Sequence, residues 1–287
     1  MIPNVYYFIL VLVMMLAFGS WCHLGVAHNV YPGTRWTGLW NNPNIYGVLM
    51  GSGGVLAVGL LAANAKNRIK NVKNNSILAI ALFMMGVGLL MSYSRGAWVG
   101  TTIAMLYLFW CRGKMKWRYV FPVALVAATV IALVWHSTSD TDPWYLKRLD
   151  FSRPSAQHRV AAWGAGFEIM RDHPLGVGWN NAVSLYDKEY SPPEGGAGAL
   201  TMNSYLMLGT ELGIPALLCF IVYCGLCLRG KCRMDCEEGR IQAACRAGAI
   251  LFLVAFWFDG GLFDLPTAAV FWILLEMGSV SYLPYDG

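Results

Sequence analysis

Apolar residues in this chain come in long runs and not in strict alternation. The runs fall at about 5–21, 44–63, 76–93, 97–111, 119–136, 204–228, 247–258 and 266–283. Most are too long for strands and approach the roughly twenty residues that a helix needs to cross a bilayer core. The pattern predicts an all-α helix bundle of about eight transmembrane spans. One long stretch, 137–203, interrupts the series. Inside it, "RPSAQHRVAAWGAGFEIMRDHP" (153–174) predicts a short amphipathic helix, with Pro154 and Ser155 as a start signal and Pro174 as a stop. Arg159, Trp163, Gly166 and Met170 recur at helical spacing and share one face. "PLGVGW" (174–179) reads as a Gly-rich turn, and "SPPEGGAG" (191–198) has the composition of a mobile flap.

Composition turns a helical chain into a membrane chain. Hydrophobic residues make up 57% and charged residues 13%, where a soluble domain carries about 25% charged. Residues 1–287 therefore read as a single transmembrane domain, with 137–203 as a loop within it. The net charge of +5 reports topology and not nucleic acid, because Lys and Arg of a membrane protein mark its cytoplasmic side. Residues 5–20 have no Lys or Arg before them, so they read as a retained first span and not a cleaved signal.

The basic residues fix the orientation. The segments 64–75, 112–118 and 229–246 hold 13 of the 21 Lys and Arg, and the positive-inside rule places them in the cytoplasm. The alternate connections then face outward: 22–43, the tight turn at 94–96, the loop 137–203 and "DGGLFDLP" (259–266). Ten of the sixteen acids lie in those outer connections. Arg95 thus sits at the outer tip of a helical hairpin and not at mid-bilayer.

Six of the eight cysteines fall between Cys219 and Cys245. Cys224 and Cys227 have C-x-x-C spacing, followed by Cys232 and Cys236, which is compatible with zinc. Their place in an apolar span and a cytoplasmic loop favours packing and reduced thiols instead, with no metal.

Three arginines reach the same outer side on this topology: Arg35, Arg95 and Arg159. An arginine keeps its charge and presents a planar fork that fits phosphate in bidentate fashion. Each also has a simpler reading: Arg35 as an interfacial anchor beside Trp36, Arg95 snorkelling to a headgroup, Arg159 paired with an acid of its own loop. Mid-span charges are few, with Glu211 and Glu276 the main ones. That scarcity disfavours a proton-driven transporter. Glu211 stands just before Gly213 and Pro215, which are expected to break the helix, and could be a base or an arginine's partner.

Four segments in order resemble the O-antigen ligase and O-antigen polymerase superfamily of bacterial membrane glycosyltransferases. They are "TGLWNNPNIYG" (37–47), "SYSRGAWVG" (92–100), "HRVAAWGAGFEIMRDHPLGVGW" (158–179) and "MNSYLMLGTELGIPALL" (202–218). The resemblance implies a GT-C-like fold and a multi-pass protein of the bacterial inner membrane with its active face periplasmic. It implies transfer of a glycan from a polyprenyl-pyrophosphate carrier to a hydroxyl of a glycan, lipid A core or other acceptor, with no cofactor or metal. Membrane lipids and the lipid-linked donor are the implied partners. Arg95 and Arg159 match the family's two functional arginines, with Glu211, His173 and His158 as candidates for the base. Arg35, Asn44, Ser94, Trp163 and Asn203 are the candidate substrate-binding positions. Two departures stand out. Many ligases carry a histidine where this chain has Met202, and a thioether cannot take a proton. Relatives usually have more spans before the first motif. The rival readings are an inactive donor-binding scaffold of a polysaccharide-assembly complex and a transporter of lipid-linked sugar.

Overall fold

The computed structural model describes residues 2–21, 35–40, 42–64, 72–111, 154–191, 199–230 and 234–279. Among these residues every regular element is helical. The helices are α1 (Ile2–Trp21), α2 (Pro43–Asn64), α3 (Val72–Ser92), α4 (Arg95–Cys111), α5 (Pro154–Asp172), α6 (Ala182–Leu185), α7 (Ser204–Glu211), α8 (Gly213–Leu228), α9 (Glu237–Ala255) and α10 (Leu265–Ser279). One π-helical turn (Tyr186–Tyr190) continues α6, and short 3₁₀ turns cover Ala199–Met202 and Gly261–Phe263. Among the described residues, two helices, over Pro43–Ala63 and Asn75–Ser92, are long and apolar enough to cross a membrane; three shorter apolar helices lie in α1, α8 and α10. The run at 119–136, the flap at 192–198 and most of the basic connections at 65–71 and 112–118 lie outside the described residues.

The main core is built on α2, which packs against α1, α3, α4 and α9. Small residues let these helices approach closely. A Cβ on Gly100 of α4 would sit 2.8 Å from the Leu251 carbonyl oxygen of α9. Close backbone approach of this kind supplies packing between helices where lipid offers no hydrophobic drive. The outward faces of α3, α4 and α8 expose Phe83, Leu90, Trp110 and Leu218, as a bundle in an apolar solvent would. A second cluster joins α5 to α7 through Ile169, Met170, Leu200 and Leu206. It forms an outer layer on the bundle.

The run 204–228 is two helices, as the expected break at Gly213 implied: Gly213 adopts φ +86° and separates α7 from α8. One boundary differs from the apolar pattern. The last basic segment is mostly helix: α9 starts at Glu237, ten residues before its apolar run, with the Cys236 thiol accepting the Gly239 N–H at 3.4 Å. Two acids in its first turn suit the positive end of that helix. Arg246 is consequently buried and not in a loop. Its Nε donates to the Gly278 carbonyl at 2.7 Å and its Nη1 to the Gly230 carbonyl at 2.7 Å. A cation there satisfies the last carbonyls of α10 and complements their dipole.

The outer layer docks through a pair of glycines. Gly176 (φ +87°) and Gly213 (φ +86°) lie backbone to backbone. A Cβ on Gly213 would stand 2.8 Å from Leu175 Cα, and one on Gly176 would stand 2.6 Å from Gly213 N. Val177 N–H to Thr210 O (2.9 Å), Gly178 N–H to Glu211 O (3.0 Å) and Ile214 N–H to Pro174 O (2.9 Å) complete the seam. Gly213→Ala adds both a left-handed penalty and a clash, so it should cost about 1–3 kcal/mol. A lowered unfolding midpoint in detergent, together with faster proteolysis at 173–178, checks this.

Candidate functional site

The hairpin tip is held by its own polar groups. Ser94 is buried, and its hydroxyl accepts the Ala97 N–H at 3.4 Å, capping α4. Its own N–H donates to Ser92 Oγ at 3.2 Å. Tyr93 takes φ 50° to make the reversal, and Trp98 Nε1 donates to the Leu89 carbonyl at 2.9 Å. Arg95 is the first residue of α4 and is half-buried there.

Arg35 ties this tip to the start of α2. Its Nε donates to Ser92 O at 2.8 Å and its Nη2 to Asn44 Oδ1 at 2.8 Å. Next to it, Trp36 N–H donates to Met91 O at 3.0 Å. Asn42 Oδ1 in turn accepts the Asn44 N–H at 2.8 Å, with Pro43 opening α2. Proline suits the first helical position because its missing N–H would have no partner there. The structure thus brings Arg35, Asn44, Ser94 and Arg95 together.

Asn203 opens α7. It is buried, and its Oδ1 accepts the N–H groups of Tyr205 (3.0 Å) and Leu206 (3.1 Å). Beside it, the Ser204 hydroxyl donates to Asp259 O at 2.8 Å and accepts the Leu262 N–H at 3.2 Å, while Ser204 N–H donates to Phe256 O at 2.9 Å. Trp163 of α5 packs edge-on against Trp257, ring centroids 5.5 Å apart. Trp257 also meets Tyr205 at 5.8 Å.

All of these elements meet one segment, 256–264. The hairpin tip reaches it at Gly96, where a Cβ would lie 2.9 Å from Phe258 Cβ. The start of α2 shares a small cavity with it, lined by Asn44, Val48, Asp259, Gly261 and Thr267. Trp179 of the Gly-rich turn contacts Phe263 at 5.6 Å. Sequence reasoning placed this segment among the outer connections but assigned no site residue to it. The available signal was two acids and two glycines set between apolar runs, in "DGGLFDLP".

Four helices, α2, α4, α7 and α10, begin at this end. Their dipoles give the end a partial positive character, although several first-turn N–H groups are already capped by Asn42, Ser94 and Asn203. Two carboxylates oppose it. Asp259 Oδ1 accepts the Gly260 N–H at 2.7 Å. Burial pushes the Asp264 carboxyl above its ordinary value of 3.8.

The remaining candidates lie on the outer layer. Arg159 and His158 fall in the first two turns of α5. His173 is exposed at the end of α5, its N–H donating to Ile169 O at 2.8 Å. Glu211 ends α7 and is buried, and neither carboxylate oxygen has a hydrogen-bond partner. Nearby, Asp172 is held below the usual carboxylate range by the Tyr190 hydroxyl (3.0 Å) and then by Arg171 (3.2 Å). That contact fastens the π turn to α5. Among the described residues, no three of His, Cys, Asp and Glu gather as metal ligands.

The Asp264 carboxyl gives a pH signature. With its folded value raised, it favours the folded state fully below the unfolded value near 4, and this contribution is lost as pH rises through the folded value. Asp264→Asn should therefore flatten the acid-side pH dependence of the unfolding midpoint and leave the chain no less stable at pH 7. A wild-type midpoint that falls in parallel with the variant's between pH 4 and 7 contradicts this.

Comparison with known proteins agrees with the motifs. A family model described as O-antigen ligase matches residues 80–221, which run from within α3 through the hairpin tip, α5 and α7 into α8. No curated protein matches the chain. The proteins of this family are inner-membrane proteins of polysaccharide assembly. With the matched region carrying the Ser-Arg tip, the Arg-x-x-x-Trp helix and the Asn-x-Tyr-Leu segment in order, the chain belongs to the O-antigen ligase and polymerase superfamily.

Proposed function

We propose that this protein transfers a glycan from a polyprenyl-pyrophosphate carrier to an acceptor hydroxyl at the periplasmic face of the inner membrane. The observation that carries the reading is the gathering of Arg35, Asn44, Ser94, Arg95, Trp163 and Asn203 around segment 256–264, where four helices begin. Helix N-termini and guanidinium groups together suit a diphosphate. On this reading the whole chain is one bundle of about eight spans, and 137–203 lies in the periplasm.

The reaction follows from those parts. The acceptor oxygen attacks the anomeric carbon of the carrier-bound sugar. The bond from that carbon to the pyrophosphate oxygen breaks, and its electron pair leaves with the pyrophosphate. Arg95, at the positive end of α4, and Arg159 take up the charge that grows on the leaving group. Arg35 is a positioning residue: two of its donors are already committed to Ser92 and Asn44, which fixes the tip that carries Arg95. The acceptor's proton passes to Glu211 or His173, since position 202 is methionine. The buried, unpartnered carboxylate of Glu211 makes it the stronger choice.

Purified protein reconstituted with a polyprenyl-pyrophosphate glycan and an acceptor tests the reading by carrier release and product. Arg95→Lys and Arg159→Ala should each lower kcat by about 10²–10³-fold, because a point charge or nothing replaces a fork. Full turnover in both variants defeats the assignment. Movement of the intact lipid-linked glycan between leaflets, with no transfer, would identify a transporter. Donor binding without either would identify a scaffold.

A further inference from the structure

The end of the bundle away from the candidate site carries a recess of its own. It measures about 330 Å³ out to its mouth and lies between α2, α4 and the start of α9. Val58 and Ala62 of α2, Leu108 and Phe109 of α4 and Met234 give it apolar walls. Among the described residues, Arg240 is the one charged side chain on it. Asn44 of the candidate site and Ala62 of the recess lie about 27 Å apart along α2, so the two are separate places.

Arg240 is held at the recess with most of its donors unused. It is half-buried near the start of α9. Its Nε donates to the Cys236 carbonyl at 3.1 Å, which ties the guanidinium back to the chain. Its two Nη groups make no hydrogen bond or ion pair among the described residues. Glu237 and Glu238 open the same helix, yet neither pairs with it. The Nη groups keep a planar fork of N–H donors of the kind that suits a phosphate.

An occupant has to answer both the walls and the charge. The mouth lies on the outward face of α4, where Val99, Ile103, Leu106, Phe109 and Trp110 are all exposed. In a bilayer that face meets acyl chains. The charge of the flanking sequence has one sign: 64–75, after α2, and 112–118, after α4, hold four basic residues each and no acid. A soluble anion would meet Arg240 and leave the walls bare. A neutral lipid would cover the walls and leave the fork unpaired. An anionic phospholipid satisfies both.

We infer that this recess binds an anionic phospholipid of the cytoplasmic leaflet, with its phosphate on Arg240 and one acyl chain between α2 and α4. Basic pockets between spans on the cytoplasmic side recruit such headgroups. The inference rests on the reading of the chain as a membrane bundle oriented by its basic segments. It does not depend on the reaction proposed for the other end.

The test titrates the full chain, purified in detergent and freed of co-purifying lipid, with phosphatidylglycerol and with phosphatidylethanolamine of the same acyl chains. Native mass spectrometry counts the bound lipid, and a third titration uses soluble glycerol phosphate. The wild type should bind phosphatidylglycerol about fivefold more tightly than phosphatidylethanolamine, the effect of one basic group at a headgroup. Arg240→Gln should bring the two lipids within about twofold of each other. Ala62→Phe fills the recess, leaves Arg240 in place and should weaken both lipids about tenfold. Should Arg240→Gln fail to fold, Ala62→Phe decides alone. A preference that survives Arg240→Gln, lipid binding unchanged by Ala62→Phe, or glycerol phosphate bound as tightly as the lipid overturns the inference. Glycan transfer does not enter the readout, so this site and the transferase reading stand or fall separately.

Discussion

One buried serine ties together the end of the bundle where segment 256–264 lies. Ser204 uses its hydroxyl as donor to Asp259 O and as acceptor for the Leu262 N–H, and its backbone N–H reaches Phe256 O. Segment 256–264 leaves α9 and turns twice before α10. Its backbone groups would otherwise lack partners where the segment packs against the bundle. By satisfying them, Ser204 fixes the start of α7 against the end of α9. Three candidate elements meet that junction: Trp163 through Trp257, Asn44 through the shared cavity, and the hairpin tip through Phe258.

The same arrangement shows why a polar site can exist at the end of so apolar a chain. Part of the positive character at this end comes from backbone and not from charged side chains. Four helix N-termini face one region and cost no desolvated side chain. Arginine is added only where geometry fixes it. Arg35 spends its fork on Ser92 and Asn44. That brace sets the height at which Arg95 enters α4, so the guanidinium is presented by a capped helix and not by a loose turn. Lysine could keep the charge at position 35 but not both bonds.

The sequence made the parts legible and left their junction hidden. Residues whose chemistry depends on side-chain type could be found by spacing: the Ser-Arg tip, the Trp163 face of α5, the Asn-x-Tyr-Leu segment, and Gly213 as a helix break. All four are where the pattern put them. Segment 256–264 escaped because its role rests on backbone hydrogen bonds and ring packing, which many sequences provide. The start of α9 escaped for a different reason. Charged residues there belong to a helix whose arginine is buried against carbonyls of Gly230 and Gly278. Hydropathy reads such a turn as solvent, since it records charge and not the partners that satisfy it.

Hidden partners also explain the least expected feature of the site, which is its unsatisfied groups. Glu211 Oε1 and Oε2, Asn203 Nδ2, Trp163 Nε1 and Tyr186 Oη are all buried and unpartnered, while Ser94, Ser204 and Thr210, equally buried, each have a partner. A fold selected for stability alone would replace such groups with apolar neighbours of similar shape at little cost. They are spread over the outer layer: Trp163 on α5, Tyr186 on the π turn after α6, and Asn203 and Glu211 at the two ends of α7. A polar atom kept dry and unpaired calls for a water or a ligand to supply the other half of its hydrogen bond.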